Sequence, residues 1–150
     1  MKILLACVLA ISALAAAVPV TASDKMQLAQ ASAAAPQKYK VVIQVSDPDP
    51  RLWVQAINYS ENLQSELGKD NVELEIVALG HGIGFLKLDS PQGSRIPDAL
   101  KRGVKIVACE ITMKRQKLTK DDMLPAIGYV PGGLVRIIEL QRQGWTYIKG

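Results

Sequence analysis

The residue of this sequence best suited to chemistry is Cys109, where the apolar run VKIVAC gives way to the polar and basic segment EITMKRQK. A thiol reacts as the thiolate, and its pKa falls at a helix N-terminus or beside basic groups. A helix beginning after Cys109, with Lys114 and Arg115 nearby, would therefore favour ionisation. Two other interpretations stay open: a buried cysteine that packs as a small apolar residue, and a cysteine bridged to a second chain.

A second group of candidate residues follows the apolar run VELEIVAL, in the stretch GHGIG. Gly80, Gly82 and Gly84 alternate there, a pattern that lets backbone amides turn inward and bind an anion. A tight strand-to-helix turn is the alternative reason for these glycines. His81 is the only histidine of the chain and lies inside the loop. If the second and third strands are neighbours, its imidazole would lie close enough to Cys109 to favour the thiolate.

Other kinds of site find little support. Asp47, in the segment SDPDP, is a candidate proton carrier, with capping of a turn as its alternative role. One histidine and one cysteine cannot complete a zinc site. The GHGIG loop lacks the lysine of a nucleoside triphosphate loop and does not match the dinucleotide fingerprint. No serine stands in a nucleophile elbow. We therefore predict no metal ion and no cofactor.

The N-terminus indicates export. Lys2 precedes an apolar run from Ile3 to Val18, and the small-residue segment PVTA ends at Ala22. This order is typical of a secretory signal peptide, and the run is shorter than the ~20 residues of a spanning helix, although a retained anchor is the alternative. We predict a signal peptide over residues 1–22, a periplasmic or secreted location, and no membrane association after cleavage. Of the two cysteines, cleavage would remove Cys7 and leave Cys109 without an intramolecular partner.

The remaining chain divides into a linker and one domain. Residues 23–38 are rich in alanine and glutamine without apolar periodicity, which predicts a disordered linker before a domain at 39–150. Of the 18 basic side chains only Lys2 lies in the predicted signal, which has no acid, so the mature chain has 17 basic and 14 acidic side chains, a net charge of +3. With a single Phe and no dense basic tract, nucleic acid is an unsuitable partner.

Strand and helix patterns alternate along the domain. KYKVVIQVS, VELEIVAL, VKIVAC, AIGYV and WTYIK predict strands. A helix is predicted from Pro50, capped by Asp49, to Gly68, with shorter ones over IPDALKRG and after Cys109. The last helix, GGLVRIIELQRQG, is predicted to carry along one side Leu134, Ile137, Ile138 and Gln141.

These elements predict an α/β fold, a three-layer α/β/α sandwich with a mostly parallel sheet of about five strands. Reactive and ligand-binding groups of such sheets lie beyond the carboxyl ends of the strands. SDPDP, GHGIG and Cys109 all follow strands there.

Four segments, VVIQVSDPDP, ALGHGIGFL, GVKIVACEITMKRQKL and GYVPGGLVRIIELQRQGWTYIKG, together resemble the DsrE/DsrF-like family, in particular its exported single-domain branch. The similarity runs from about Lys40 to Gly150. The most specific features are Cys109 with Thr112 three residues on, the histidine among alternating glycines, and the terminal LQRQGWTYIK. The resemblance implies a small α/β sandwich that assembles as a homo-oligomer, a trimer or hexamer, and a role in sulfur metabolism. Cys109 matches the cysteine on which relatives hold sulfane sulfur as a persulfide.

Two functions stay open, and so does enzymatic turnover. In the first, a periplasmic sulfur carrier or transferase uses Cys109 and His81 as its catalytic residues. Its ligand-binding residues would be Gly82, Gly84, Asp47, Thr112, Lys114 and Arg115. In the second, the chain is a non-catalytic oligomeric binding or accessory protein in which the glycine loop captures a small anion and Cys109 is packed and inert. An intermolecular disulfide across a symmetric oligomer is a third possibility.

Overall fold

The computed structural model describes residues 37–150. The predicted signal peptide, Cys7 and most of the predicted linker lie outside the described residues. Within residues 37–150, no helix combines the length and the apolar character that crossing a membrane requires.

Strands and helices alternate along the described residues, as the sequence predicts. The strands are β1 (Tyr39–Val45), β2 (Val72–Ala78), β3 (Lys105–Cys109), β4 (Gly128–Val130) and β5 (Thr146–Lys149). The α-helices are α1 (Pro50–Leu67), α2 (Ile96–Lys101), α3 (Glu110–Arg115) and α4 (Gly133–Arg142). Short 3-10 segments cover Lys69–Asn71, Gly80–Leu86 and Lys120–Asp122.

The strands form one five-stranded sheet in the order β4-β3-β2-β1-β5, and every neighbouring pair is parallel. This confirms the predicted α/β fold. The register pairs Val45 with Ala78, Ala78 with Ala108, and Cys109 with Val130. The carboxyl ends of β1 to β4 therefore meet at one edge of the sheet, where the candidate residues follow.

Successive strand residues point to opposite sides of the sheet, so these apolar strands present an apolar surface on each face. Helices cover both faces. The larger core cluster includes Ile43 and Ile76 of the sheet with Trp53 and Ile57 of α1. The smaller cluster, on the opposite face, includes Val42 and Val77 of the sheet with Ile137 and Leu140 of α4. On that second face α4 contacts β1, β2 and β5. Next to it a groove of about 420 Å³ runs over β3 and β4, and its lining includes Glu75, Lys105, Val107, Gly128, Val130 and Arg136.

The ends of α1 follow the sequence prediction closely. The Asp49 carboxylate accepts a hydrogen bond from the Arg51 amide at 2.9 Å, which satisfies one of the free donors of the first turn. Pro50 occupies the first turn, where no amide donor is needed. Gly68 ends the helix with φ at +87°, a conformation that glycine adopts without a steric penalty.

The predicted apolar side of α4 is confirmed at Ile137 and wrong at Leu134, Ile138 and Gln141. The helix buries Gly133, Ile137 and Leu140, whereas Leu134 and Ile138 are 60% and 57% exposed. Gln141 is exposed as well. The helix carries more apolar residues than one face can bury. The face with Gly133 packs on the sheet, and the missing side chain of this glycine lets the first turn approach the end of β3 closely, since an added Cβ would lie 3.1 Å from the Cys109 Cβ.

Candidate functional site

Cys109 lies where one strand and two helices meet. It is the last residue of β3 and the N-cap of α3. The first amide of α4, at Gly133, donates a hydrogen bond to Sγ at 3.1 Å. A Cβ atom added to Gly133 would lie 3.1 Å from the Cβ atoms of both Cys109 and Leu79. The thiol thus faces the start of α4, and Cys109 is 5% exposed.

Thr112 links the sulfur to the glycine loop. Its side chain is buried on the first turn of α3, and its hydroxyl oxygen accepts a hydrogen bond from the Gly80 amide at 3.0 Å. The Gln116 side chain donates to the Gly80 carbonyl at 3.0 Å. The accepted bond leaves the hydroxyl proton free, and the Thr112 hydroxyl is one of the groups that lower the pKa of Cys109. The ligand-binding role of Thr112 stays a prediction.

The surroundings of Cys109 favour the thiolate. Burial raises the pKa of the thiol, but the polar groups around it lower it by more. These are the Thr112 hydroxyl, the Gly133 amide that is bonded to Sγ, and the amides of Thr112 and Ile111 at the start of α3. The pKa is consequently below its ordinary value. The predicted direction of this shift agrees with the structure, and the start of α3 is among its causes, as the sequence predicted. The predicted contribution of basic side chains is absent from those causes, whereas the start of α4 contributes without having been predicted.

The two basic candidates lie away from the sulfur. Lys114 and Arg115 occupy the last turn of α3, whereas Cys109 precedes its first turn, and both side chains are exposed. Their charges are not among the causes of the lowered thiol pKa. A role in attracting an anionic ligand from solution stays a prediction.

The glycine loop is packed tightly against β1 and α1. The Gly82 amide donates to the carbonyls of Ser46 and Leu79, both at 3.1 Å, and an added Cβ would lie 2.5 Å from the Val45 carbonyl oxygen. At Gly84 an added Cβ would lie 2.9 Å from the Trp53 ring. Close packing alone therefore accounts for both glycines, and their ligand-binding role stays a prediction.

His81 lies beside the site but projects outward. As the prediction required, β2 and β3 are neighbours, and the loop after β2 is bonded to α3. The imidazole is exposed, and within residues 37–150 we find no hydrogen bond that joins it to Cys109. Its catalytic role stays a prediction.

Asp47 caps a turn two strands away from the thiol. Its carboxylate accepts a hydrogen bond from the Asp49 amide at 3.0 Å, and its carbonyl accepts one from the Trp53 indole at 2.7 Å. The end of β1 is separated from the end of β3 by two strand spacings, roughly 10 Å. The structure therefore shows the capping role that the sequence offered as the alternative to proton transfer.

The fold and these residues agree with a family match. The DsrE/DsrF-like family model matches residues 16–149. The chain belongs to this family. No protein among the curated sequences matches it significantly.

Two solved structures resemble this DsrE/DsrF-like chain. The protein of unknown function MTH1491 from Methanobacterium thermoautotrophicum is 28% identical, with a TM-score of 0.71, and the match covers 75% of this chain and 100% of that one. The conserved protein of unknown function BT1422 from Bacteroides thetaiotaomicron is 15% identical, with a TM-score of 0.57 and coverage of 74% and 94%. The second likeness shows the fold alone.

The site of this DsrE/DsrF-like chain includes one residue that the sequence did not reveal, Gly133. Its amide bonds to a sulfur that lies 24 residues earlier in the chain. The sequence held a partial signal, because the segment PGG immediately precedes a helical pattern and marks a helix start with free amides. Which group those amides would bind depends on the placement of α4 over β3.

Proposed function

We propose that this DsrE/DsrF-like protein carries sulfane sulfur as a persulfide on Cys109. The observation that carries the proposal is the set of donors around Sγ, in which the Gly133 amide lies 3.1 Å away and the Thr112 hydroxyl and further amides lower the thiol pKa. A cysteine that served only as a small apolar filler would not need polar partners.

The proposed chemistry is an exchange at sulfur that needs no external oxidant. The Cys109 thiolate attacks the outer sulfur of a persulfide, polysulfide or thiosulfate donor. A new S–S bond forms on Cys109 while the S–S bond of the donor breaks, and the donor leaves with the electron pair as a thiolate or as sulfite. An acceptor thiolate then attacks the terminal sulfur, and Cys109 leaves as a thiolate. Groups that stabilise this thiolate assist both loading and release.

Access to the sulfur is restricted, and this shapes the proposal. Because Cys109 is 5% exposed, a donor must reach it at the surface between α3 and the start of α4. Lys114 and Arg115 are exposed on α3 and would attract anionic donors towards that surface. The predicted anion-binding role of the glycine loop falls to Gly84, with His81 beside it, because the Gly82 amide already donates to two carbonyls. The predicted signal peptide supports a periplasmic site of action.

Mass spectrometry of the native protein after treatment with thiosulfate or polysulfide tests this function. We expect a mass gain of one or more sulfur atoms that localises to Cys109 and is removed by a thiol acceptor. The Cys109→Ser variant should show no gain under the same conditions. Unmodified thiol in the wild-type protein under every donor would overturn the proposal.

The alternative function is supported by the burial itself. A cysteine that is 5% exposed also suits a non-catalytic binding or accessory protein in which Cys109 is packed and inert. Alkylation separates the two, because a carrier must react in its native state. Reaction only after denaturation would favour the accessory protein, and a covalent dimer on a non-reducing gel would instead indicate an intermolecular disulfide.

We also propose that the protein is a homo-oligomer, a trimer or a hexamer, as the family resemblance implies. Support comes from large apolar side chains on the surface around the start of α4. The three on this helix, Leu134, Val135 and Ile138, are 57–60% exposed, and Ile111 of α3 is 51% exposed. Grouped apolar side chains on a surface favour contact with another protein.

A further inference from the structure

An ion pair between the buried Glu75 and Arg136, whose side chain is 30% exposed, ties α4 to the centre of the sheet. The Arg136 guanidinium donates from Nε to one carboxylate oxygen of Glu75 and from Nη2 to the other, both at 2.6 Å. Glu75 lies on β2, is 1% exposed, and is the only charged residue that is buried within residues 37–150. Two parallel hydrogen bonds fix the guanidinium in orientation as well as in distance.

The pair holds the same helical turn that contacts the thiol. Arg136 follows Gly133 by three residues, and its amide bonds to the Gly132 carbonyl at 2.9 Å, so both belong to the first turn of α4. Gly133 donates to Sγ of Cys109, whereas Arg136 binds β2, the neighbour of β3. The first turn is thereby attached to two adjacent strands, and its rotation about the helix axis is restricted.

We propose that Glu75 and Arg136 are positioning residues that hold the first turn of α4 so that the Gly133 amide stays on the sulfur of Cys109. The inference rests on the proposed function only in taking Cys109 as the reactive residue. A buried ion pair is a poor source of stability, because two apolar residues in its place are often as stable. A positional task explains why a charge is kept inside this small core.

Other charged or titratable groups lie on the elements around Cys109. They are Glu110, Lys114 and Arg115 on α3, Glu139 and Arg142 on α4, Glu73 on β2, Lys105 on β3, Tyr129 on β4, and His81 in the loop after β2. Unlike Glu75, none of them is buried. The positioning role is therefore tested at Arg136, with an exposed arginine of the same helix, Arg142, as the matched control.

The test is a pH titration of the Cys109 thiol, monitored by the absorbance of the thiolate. The absorbance of the matching protein with Cys109→Ser is subtracted at each pH. Arg136→Met should move the titration to higher pH and lower the thiolate fraction at neutral pH by about threefold or more, since the fraction falls in proportion to the proton affinity. Arg136→Lys, which keeps the charge but loses the two-pronged bond, should give a smaller shift. Arg142→Met should titrate as the wild type.

Arg136→Met alone leaves the buried Glu75 without its partner, and this variant could fail to fold. The double variant Glu75→Leu with Arg136→Met removes both charges and is the second test. It should fold and still show the higher thiol pKa. A folded double variant that titrates as the wild type would overturn the positioning role. The titration does not depend on sulfur transfer. A wild-type protein that takes up no sulfur would reject the proposed function, and the titration would still decide whether the ion pair positions α4.

Discussion

The amide of Gly133 donates a hydrogen bond to the sulfur of Cys109 across 3.1 Å. The bond joins the first turn of α4 to the end of β3, and the same cysteine is the N-cap of α3. Packing and ionisation are therefore linked at one atom. A change at either residue alters both the seating of α4 and the reactivity of the thiol.

Gly133→Ala should weaken this junction. An added methyl group would lie 3.1 Å from the Cβ atoms of Cys109 and Leu79, which is tighter than ordinary contact, and we expect the first turn of α4 to shift slightly away from the sulfur. We expect a loss of about 1–3 kcal/mol in the free energy of unfolding, as for other overpacked sites. The thiol pKa should rise, because a donor is lost. Denaturant unfolding and the pH dependence of alkylation measure the two effects.

Gly132→Ala is the control for that change. The nearest atoms to its added methyl group lie 3.5 Å away, which is ordinary contact. The thiol titration of this variant should match the wild type. Equal shifts in both variants would show that the distance between Gly133 and the sulfur does not matter.

Thr112→Val tests the hydroxyl beside the sulfur. The valine has nearly the same shape, but it has no hydroxyl to accept from the Gly80 amide or to lower the pKa of Cys109. An unsatisfied amide costs about 1–3 kcal/mol, and the thiol pKa should rise. Thr112→Ser keeps the hydroxyl and should retain most of the wild-type reactivity. If valine and serine variants alkylate at the same rate at every pH, the hydroxyl does not act on the sulfur.

The stability of the protein should depend on pH through Cys109. Burial raises its pKa, but the hydrogen bonds to the sulfur lower it by more, so the folded-state value is below the ordinary 9.0. Between the two values the unfolded chain binds more protons, and the free energy of unfolding therefore increases with pH in that interval. The contribution is complete above the ordinary value and is lost as pH falls through the folded-state value.

Unfolding curves of the wild type and of Cys109→Ser across this pH range measure the thiol contribution. Subtracting the serine variant removes the other titrating groups. A difference that stays constant with pH would contradict a lowered thiol pKa in the folded protein.

Replacing Leu134 and Ile138 together by glutamate should reduce self-association. Both side chains are more than half exposed on α4, so the monomer should keep its fold, whereas charges would be buried in an oligomer contact. Light scattering after gel filtration gives the mass of each species. Leu88→Glu, at a residue that is 59% exposed outside the helices, is the control and should keep the wild-type mass. A wild-type monomer would reject the oligomer.

Gly82→Ala and His81→Ala separate packing from ligand binding in the glycine loop. An alanine methyl at 82 would lie 2.5 Å from the Val45 carbonyl, and we expect a loss of about 1–3 kcal/mol or more in stability. His81 is exposed, and its replacement should change stability by less than about 0.5 kcal/mol. A stable Gly82→Ala protein would contradict the packing explanation. Slower sulfur uptake by the stable His81→Ala protein would support the predicted role of the imidazole.

The sequence contained most of the information needed for the fold. Buried parallel strands appear in the sequence as apolar runs. Asp49 and Pro50 correctly marked the start of α1, and Gly68 marked its end. The alternation with helices also predicted that the carboxyl ends of the strands share one edge, whereas the strand order β4-β3-β2-β1-β5 was not predicted. The placement of Cys109 between a strand and a helix was visible for the same reason.

The detail around the sulfur was not visible, because it depends on distant parts of the chain. Periodicity along α4 allowed several faces, and Leu134 and Ile138 made the wrong one look more apolar than the face with Gly133. A glycine contributes no hydrophobic signal, yet its missing side chain decides how closely the helix approaches. The bond between Glu75 and Arg136 joins residues 61 positions apart, and neither shows its partner in the sequence.

The sheet ends in its two shortest strands, with three residues in β4 and four in β5. An open margin of this length offers few unpaired amides and carbonyls to a strand from another molecule. Fibre-like growth by strand addition is therefore disfavoured at both margins. Crowded or concentrated solutions should remain clear of such aggregates for as long as the central strands stay enclosed.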